Sequence, residues 1–145
     1  MYEVPYDLAD EGTRRHREYV EQLEGLLAEG RRGDAVELFM QVAGASEETI
    51  GSARSSPMWP GLEAIAHTLA YDAACLGSGQ PPTARLAQIT QPTLVATGGG
   101  DGFFEQAADA IAASMPRAER RVLEGQTHVV DPKAFAPVLE RFFRE

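Results

Sequence analysis

The chain has 145 residues, a length that suits one globular domain burying roughly two-thirds of its unfolded surface. Hydrophobic residues make up 43% of it and charged residues 24%, so a disordered chain, a collagen-like repeat and a disulfide scaffold are excluded. The net charge of −9 argues against a nucleic-acid partner, because phosphate binding needs a local excess of Lys and Arg.

The first half of the sequence predicts short helices joined by brief polar links. Apolar residues recur at helical spacing over 13–28, where Thr13 is the expected N-cap. Asp34 is expected to cap a second helix, and Ser46 to open a third helix over 47–53. The residues before position 11 show no period long enough to predict an element.

Segment 61–76 carries the clearest amphipathic pattern of this half. Its apolar residues form one stripe, and His67, Tyr71 and Cys75 form a second stripe on the opposite side. The pattern predicts one helix with both faces at least partly covered. A stretch rich in Gly, Ser and Pro at 77–82 then predicts a linker, so we divide the chain into a helical segment at 1–82 and a second part at 83–145.

Beyond the linker, strands and helices alternate. A β-branched run at 92–97, stopped by three glycines, predicts a buried parallel strand, and 104–115 predicts a helix. A second strand is expected at 120–124, followed by a last helix from Pro132. This order is a right-handed parallel unit, and because two parallel strands leave unpaired edges, we expect it to be a piece of a larger sheet.

Two chemically capable side chains follow the two predicted strands. Asp101 comes directly after the first strand and its glycines, and His128 follows the second strand. The ends of neighbouring parallel strands emerge at the same edge of a sheet, so these side chains are expected to meet. An Asp that accepts a hydrogen bond from one ring nitrogen fixes the tautomer and leaves the other nitrogen as a general base. The alternative is a solvated turn Asp and a surface His.

This arrangement resembles the end of the α/β-hydrolase fold, in which an acid follows the penultimate strand and a His follows the last one. The sequences PTLVATGGGD at 92–101 and GQTH at 125–128 carry the resemblance, which implies Asp101 as the triad acid and His128 as the triad base. Segment 57–60 and the helix after it resemble the helical cap of such hydrolases. Residues 2–5 resemble the stretch that leaves the strand before the cap.

The nucleophile of that family is missing from this sequence. It would lie before the cap on a sharp strand-to-helix turn with the pattern G-x-S-x-G, and the chain holds no such pattern. Cys75 fits a small core residue better than a nucleophile. The predicted fold class is therefore α/β, with a helical cap-like part followed by a partial parallel sheet (β-α-β-α) of α/β-hydrolase type.

Three residues of the cap-like segment are candidates for substrate binding. His67 and Tyr71, one helical turn apart, would line a pocket under the cap, or form an ordinary surface pair. Trp59 would pack on a ligand, or lie in the core or in a dimer contact. The three histidines are scattered and the glycine cluster lacks phosphate-binding spacing, so no metal and no cofactor are expected.

The cysteine content and the apolar pattern bear on the compartment. One cysteine cannot form an internal disulfide, which predicts a cytoplasmic protein. No apolar run near the start resembles a signal peptide, and no segment approaches the roughly 20 apolar residues of a membrane span. We therefore expect no membrane association.

These features predict the C-terminal half of an ester-type hydrolase that uses Ser-His-Asp chemistry on a small-molecule substrate once the missing half is supplied. Its expected partner is that complementing N-terminal half or a second copy of this chain. An alternative is a non-catalytic, dimerising binding or assembly module derived from a hydrolase. A third is a dimer in which a Ser or Cys75 of one copy meets His128 of the other.

Overall fold

The computed structural model describes residues 1–100 and 102–144. Its contacts divide the chain into two compact units. The strand unit comprises Met1–Ala9 and Gln80–Glu145, and the helical unit comprises Asp10–Gly79. The division after Gly79 lies close to the predicted linker, whereas the first nine residues, which the sequence grouped with the helices, pack with the strands.

The helical unit follows the predicted succession of short helices. Their bounds are α1 Gly12–Ala28, α2 Arg32–Val42, α3 Glu47–Arg54, α4 Trp59–Ile65, a 3-10 turn Ala66–Thr68, and α5 Leu69–Leu76. Two clusters of buried side chains hold these helices together. One is centred on Leu23 with Ala35 and Ala73, and the other on Trp59 with Val36 and Ala66.

The predicted caps are wrong at the first two helices and confirmed at the third. Helix α1 begins one residue before Thr13, with Glu11 at its N-cap, and the Glu11 carboxylate is held instead by Arg14 at 2.7 Å. Asp34 lies in the first turn of α2, where Arg31 holds its carboxylate at 2.7 Å and its charge complements the helix dipole. In contrast, Ser46 caps α3 by accepting the Thr49 N–H at 3.2 Å.

The continuous helix predicted over 61–76 is also wrong. A 3-10 turn separates α4 from α5, and there the Thr68 hydroxyl donates to the carbonyl of Ile65 at 2.8 Å. Tyr71 is 62% exposed and Cys75 is exposed, so the second stripe is not covered. In this segment Ala66 and Ala73 are buried, and the opposite side is exposed to solvent.

The strand unit has the predicted alternation of strands and helices. Its elements are α6 Thr83–Leu86, β1 Thr93–Thr97, α7 Gly102–Ser114, β2 Ala118–Val122 and α8 Pro132–Arg144. The core of this unit forms where α7 packs on the sheet, around Val95, Ala108 and Ile111. The one-turn helix α6, which the sequence did not predict, adds Leu86 to that core.

Strands β1 and β2 are parallel, as predicted, with Thr93 opposite Ala118 and Thr97 opposite Val122. Strand β2 begins two residues earlier than the sequence indicated, because its pairing with β1 already starts at Ala118, and its central side chains are charged. Arg120 leaves the sheet to pair with Glu105 at 2.5 Å and Asp109 at 2.9 Å, both on α7. These ion pairs secure an edge strand whose hydrophobic pattern is weak.

The first residues of the chain extend this sheet on the other side of β1. Tyr2 forms a parallel bridge with Ala96, and the Glu3 N–H donates to the Ala96 carbonyl at 3.1 Å. The Met1 ammonium donates to the Leu94 carbonyl at 2.7 Å. The spatial order is therefore residues 1–3, β1, β2, all parallel, and the predicted partial parallel α/β fold is confirmed.

The two connections to the helical unit leave the strand unit side by side. The Gln80 side-chain amide donates to the carbonyl of Asp7 and, at 3.4 Å, to that of Ala9. The helical unit is thus inserted between two neighbouring points of the strand unit.

Across the part of the chain that the structure describes, no helix combines the length and apolar character needed to cross a bilayer.

Replacing Leu23 by Ala is expected to lower the free energy of unfolding by about 2–5 kcal/mol, because the side chain is 0% exposed and its removal leaves a cavity. Val42, 61% exposed in the same unit, supplies the control, and Val42→Ala is expected to cost about 0.5 kcal/mol or less. Urea denaturation followed by circular dichroism measures both. Equal losses for the two variants would contradict the assigned core.

Tyr19 should make stability depend on alkaline pH. Burial, and next the negative charge of Asp72, raise the pKa of Tyr19 above its ordinary value of 10.0. The stabilising contribution of the neutral phenol is complete below about pH 10 and is lost as the pH rises through the raised folded-state pKa. The free energy of unfolding, measured between about pH 9 and pH 11, should fall less steeply with pH for Tyr19→Phe than for the unsubstituted chain. A slope equal to that of the unsubstituted chain would refute this.

Candidate active site

His128 lies in the loop between β2 and α8, at the edge of the sheet where the strands end. The Leu123 N–H donates to the Thr97 carbonyl at 2.7 Å, and the Gln126 N–H donates to the Leu123 carbonyl at 3.1 Å. These bonds tie the start of the loop to the end of β1. The His128 side chain itself is 65% exposed and can therefore meet a ligand from solvent.

A buried carboxylate contacts this imidazole. Oε2 of Glu3 lies 2.9 Å from Nδ1 of His128, and Oε1 of Glu3 accepts the N–H of Gly98 at 2.9 Å. The Glu3 side chain is only 5% exposed. Each of its oxygens thus has a partner, which is what a buried carboxylate needs in order to be tolerated.

The imidazole plane is fixed by an aromatic neighbour. Phe104, on the first turns of α7, stacks on His128 with ring centroids 5.1 Å apart and planes inclined by 12°. The Glu3 contact and this stacking together hold the ring edge and the ring face. Nε2, the nitrogen that does not contact Glu3, is then the atom left for proton transfer.

Close backbone packing joins the end of β1 to the His128 loop. A Cβ built on Gly98 would lie 2.1 Å from the carbonyl oxygen of Gln126. Only a glycine allows this approach, because real Cβ atoms do not come within 3.0 Å of backbone atoms. Gly98 therefore lets the His128 loop come close to the end of β1.

Tyr2 holds the loop from the other side of β1. Its hydroxyl donates to the Thr127 carbonyl at 2.6 Å, and its ring packs against Phe135 of α8 with centroids 5.5 Å apart. Burial, and next the charge of Glu3, raise the pKa of the Tyr2 phenol. The phenol therefore stays protonated over the neutral pH range and keeps its donor.

Of the two residues predicted to form the acid and base pair, the structure describes one. His128 stands at the expected edge of the sheet, whereas Asp101 lies outside the described residues. Its role as the triad acid stays a prediction.

The three predicted binding residues belong to the helical unit, while His128 belongs to the strand unit. His67 and Tyr71 pack edge to face with centroids 5.9 Å apart on the exposed side of that unit. Trp59 is 7% exposed, and the guanidinium of Arg54 lies 5.6 Å from its ring centroid. Trp59 thus takes the core position that the sequence left as an alternative.

Among residues 1–100 and 102–144, no three His, Cys, Asp or Glu side chains cluster so as to hold a metal ion.

Glu3 is the residue that sequence reasoning missed. The segment around it has no period, and its pairing partner Ala96 is more than ninety residues away in the chain. One signal was present, since residues 2–5 resemble the end of the strand that precedes the cap. A carboxylate at that strand end lies at the same sheet edge as His128.

Gly98→Ala should displace the His128 loop and lower the free energy of unfolding by about 1–3 kcal/mol, because the added methyl group meets main chain that cannot yield easily. Gly100→Ala is the matched control, since a Cβ there meets no heavy atom within 4 Å. Thermal unfolding and the His128 ring resonances in NMR spectra report the two effects. Similar behaviour of the two variants would argue against the close approach.

No protein-family model matches the chain, and no curated protein matches it. A solved structure does match, the crystal structure of an α/β-hydrolase from Sphaerobacter thermophilus, at 43% sequence identity and a TM-score of 0.79. The match covers 98% of this chain and 56% of that one, so the chain spans a little over half the length of the protein it resembles.

Proposed function

Because the chain is related to the α/β-hydrolases, we propose that it forms the base-carrying part of an ester-type hydrolase that acts on small molecules. The observation that carries this proposal is the pairing of the exposed His128 with a buried carboxylate, 2.9 Å from Nδ1. A carboxylate, an imidazole and a free second ring nitrogen form the base half of a catalytic triad.

The nucleophile is proposed to be a Ser on a G-x-S-x-G turn, which this sequence does not contain. It would come from a second polypeptide or from a preceding part of a longer protein. The matched hydrolase contains additional chain of this kind of length, since the match covers only 56% of it.

In the proposed reaction, Nε2 of His128 takes the hydroxyl proton of that Ser as its oxygen bonds to the ester carbonyl carbon. The tetrahedral intermediate then expels the alcohol, which receives the proton back from His128, and an acyl-enzyme remains. Water, deprotonated by His128, releases the acid and restores the Ser. In the prediction from sequence, Asp101 orients His128 during both steps.

Two exposed side chains of the helical unit are also proposed to bind substrate. His67 and Tyr71 are accessible there and offer a ring edge, a ring face and a hydroxyl. Trp59 is the weakest of the three predicted binding residues, because its ring is already packed against core residues. We also propose a cytoplasmic location, which the single cysteine supports.

The test supplies the missing half. The chain is produced together with an N-terminal α/β-hydrolase segment that carries G-x-S-x-G, and hydrolysis of a nitrophenyl ester is measured. His128→Ala should lower kcat at least about 10³-fold, whereas Val129→Ala, whose side chain is 86% exposed in the same loop, should not. Turnover that survives His128→Ala would sink the proposal.

A fluorophosphonate probe tests the source of the nucleophile. The chain alone should stay unlabelled, and the N-terminal segment should be labelled in the assembled protein. Labelling of the chain alone would show that it carries its own nucleophile.

A second candidate function, a dimerising module without catalysis, is favoured by the face formed by α8 and β2. Helix α8 has no fully buried residue, although it carries four large apolar residues at helical spacing. Val122 of β2 is 41% exposed, and Phe143 of α8 is 79% exposed. Sedimentation of the chain as a monomer near its mass of 15.7 kDa would exclude this function.

A further inference from the structure

We propose that Glu3 is the positioning residue of His128, the carboxylate that sets its tautomer and orients its ring. This inference rests on the proposed function for the use of His128 as a base. The pairing itself is testable without any turnover.

The contact dictates which nitrogen carries the proton. A carboxylate offers acceptors only, so the Nδ1 that lies 2.9 Å from Glu3 Oε2 must donate. A neutral imidazole has one N–H, and Nε2 is then left with its lone pair. That is the state a general base requires.

Two hydrogen bonds at the end of β1 hold Glu3 beside the imidazole. Glu3 is fixed by its backbone N–H on the Ala96 carbonyl at 3.1 Å and by Oε1 on the Gly98 N–H at 2.9 Å. Because Oε1 is occupied by a main-chain donor, Oε2 is the oxygen that faces His128. A group anchored in this way positions its partner without first having to be ordered.

The backbone of Glu3 is unusual in a way that serves this contact. Its φ is +43°, and no other non-glycine residue in the described part of the chain has a positive φ. Such a conformation persists only where the surrounding structure determines it, and it is frequent at functional sites. Here it ends the short pairing along β1 and accompanies the burial of a charged side chain.

The sheet order explains why this residue can compete with the predicted acid. Residues 1–3 and β2 flank β1 on its two sides, and all three run in the same direction. Their ends share one edge, so a carboxylate after residue 2 is as well placed toward His128 as one after β1. The contact with His128 assigns the positioning role to Glu3, and the test compares Glu3 with Asp101.

The decisive measurement is the tautomer of the His128 ring in the full chain, from its two ring ¹⁵N shifts in NMR spectra at a pH where the ring is neutral. The unsubstituted chain should show a proton on Nδ1. In Glu3→Gln, the side-chain amide oxygen still accepts the Gly98 N–H, so the amide NH₂ faces Nδ1 of His128. The proton should then move to Nε2. A ring that keeps its Nδ1 proton in a folded Glu3→Gln chain would overturn the proposal.

Asp101→Asn tests the alternative acid directly, and it keeps the proposal testable if Glu3→Gln fails to fold. This change should leave the His128 ring shifts unaltered. If instead it moves the proton to Nε2, Asp101 holds the ring and the assignment to Glu3 is wrong.

Turnover in the assembled protein separates this inference from the proposed function. Glu3→Gln should lower kcat about 10³- to 10⁴-fold with little change in KM, the effect expected of a wrong tautomer. Full activity in Glu3→Gln would refute the inference and leave the proposed function standing. If the tautomer depends on Glu3 but the assembled protein does not hydrolyse the ester, the inference stands and the proposed function is refuted.

Discussion

Parallel pairing of residues 1–3 along β1 is the constraint on which the candidate site depends. It places Glu3 at the edge where β1 and β2 end, although 125 positions separate Glu3 from His128 in the chain. The main-chain bonds of Met1 and Glu3 to β1 fix the register, and the register decides which side chain reaches the loop. A shift by one residue would present Tyr2 or Val4 to His128 in place of a carboxylate.

The small sheet treats its two flanks differently. On one side of β1, the charged strand β2 is secured through Arg120 and two carboxylates of α7, which suits an edge with little hydrophobic pattern. On the other side, a charge is buried, and it is tolerated because a backbone N–H and an imidazole face it. Electrostatics therefore secures a strand at one flank and holds the His128 ring at the other.

Local signals were sufficient for much of the fold. The β-branched run at 93–97 predicted β1, the serine before 47–54 predicted a cap, and the position after the last strand predicted where His128 stands. Features set by distant partners escaped. Arg120 of β2 pairs with Glu105 and Asp109 of α7, and Glu3 reaches His128 through pairing across the sheet. Periodicity carries none of these.

The neighbouring positions of Asp7 and Gln80 make the helical unit a single insertion into the strand unit. Because the helical unit enters and leaves through adjacent points, lengthening or replacing its helices adds loop-closure entropy that grows only slowly with length. The sheet edge that carries Glu3 and His128 is closed by its own hydrogen bonds and does not need those helices to set its register. Changes in the number or length of the inserted helices should therefore leave the contact between Glu3 and His128 unaltered.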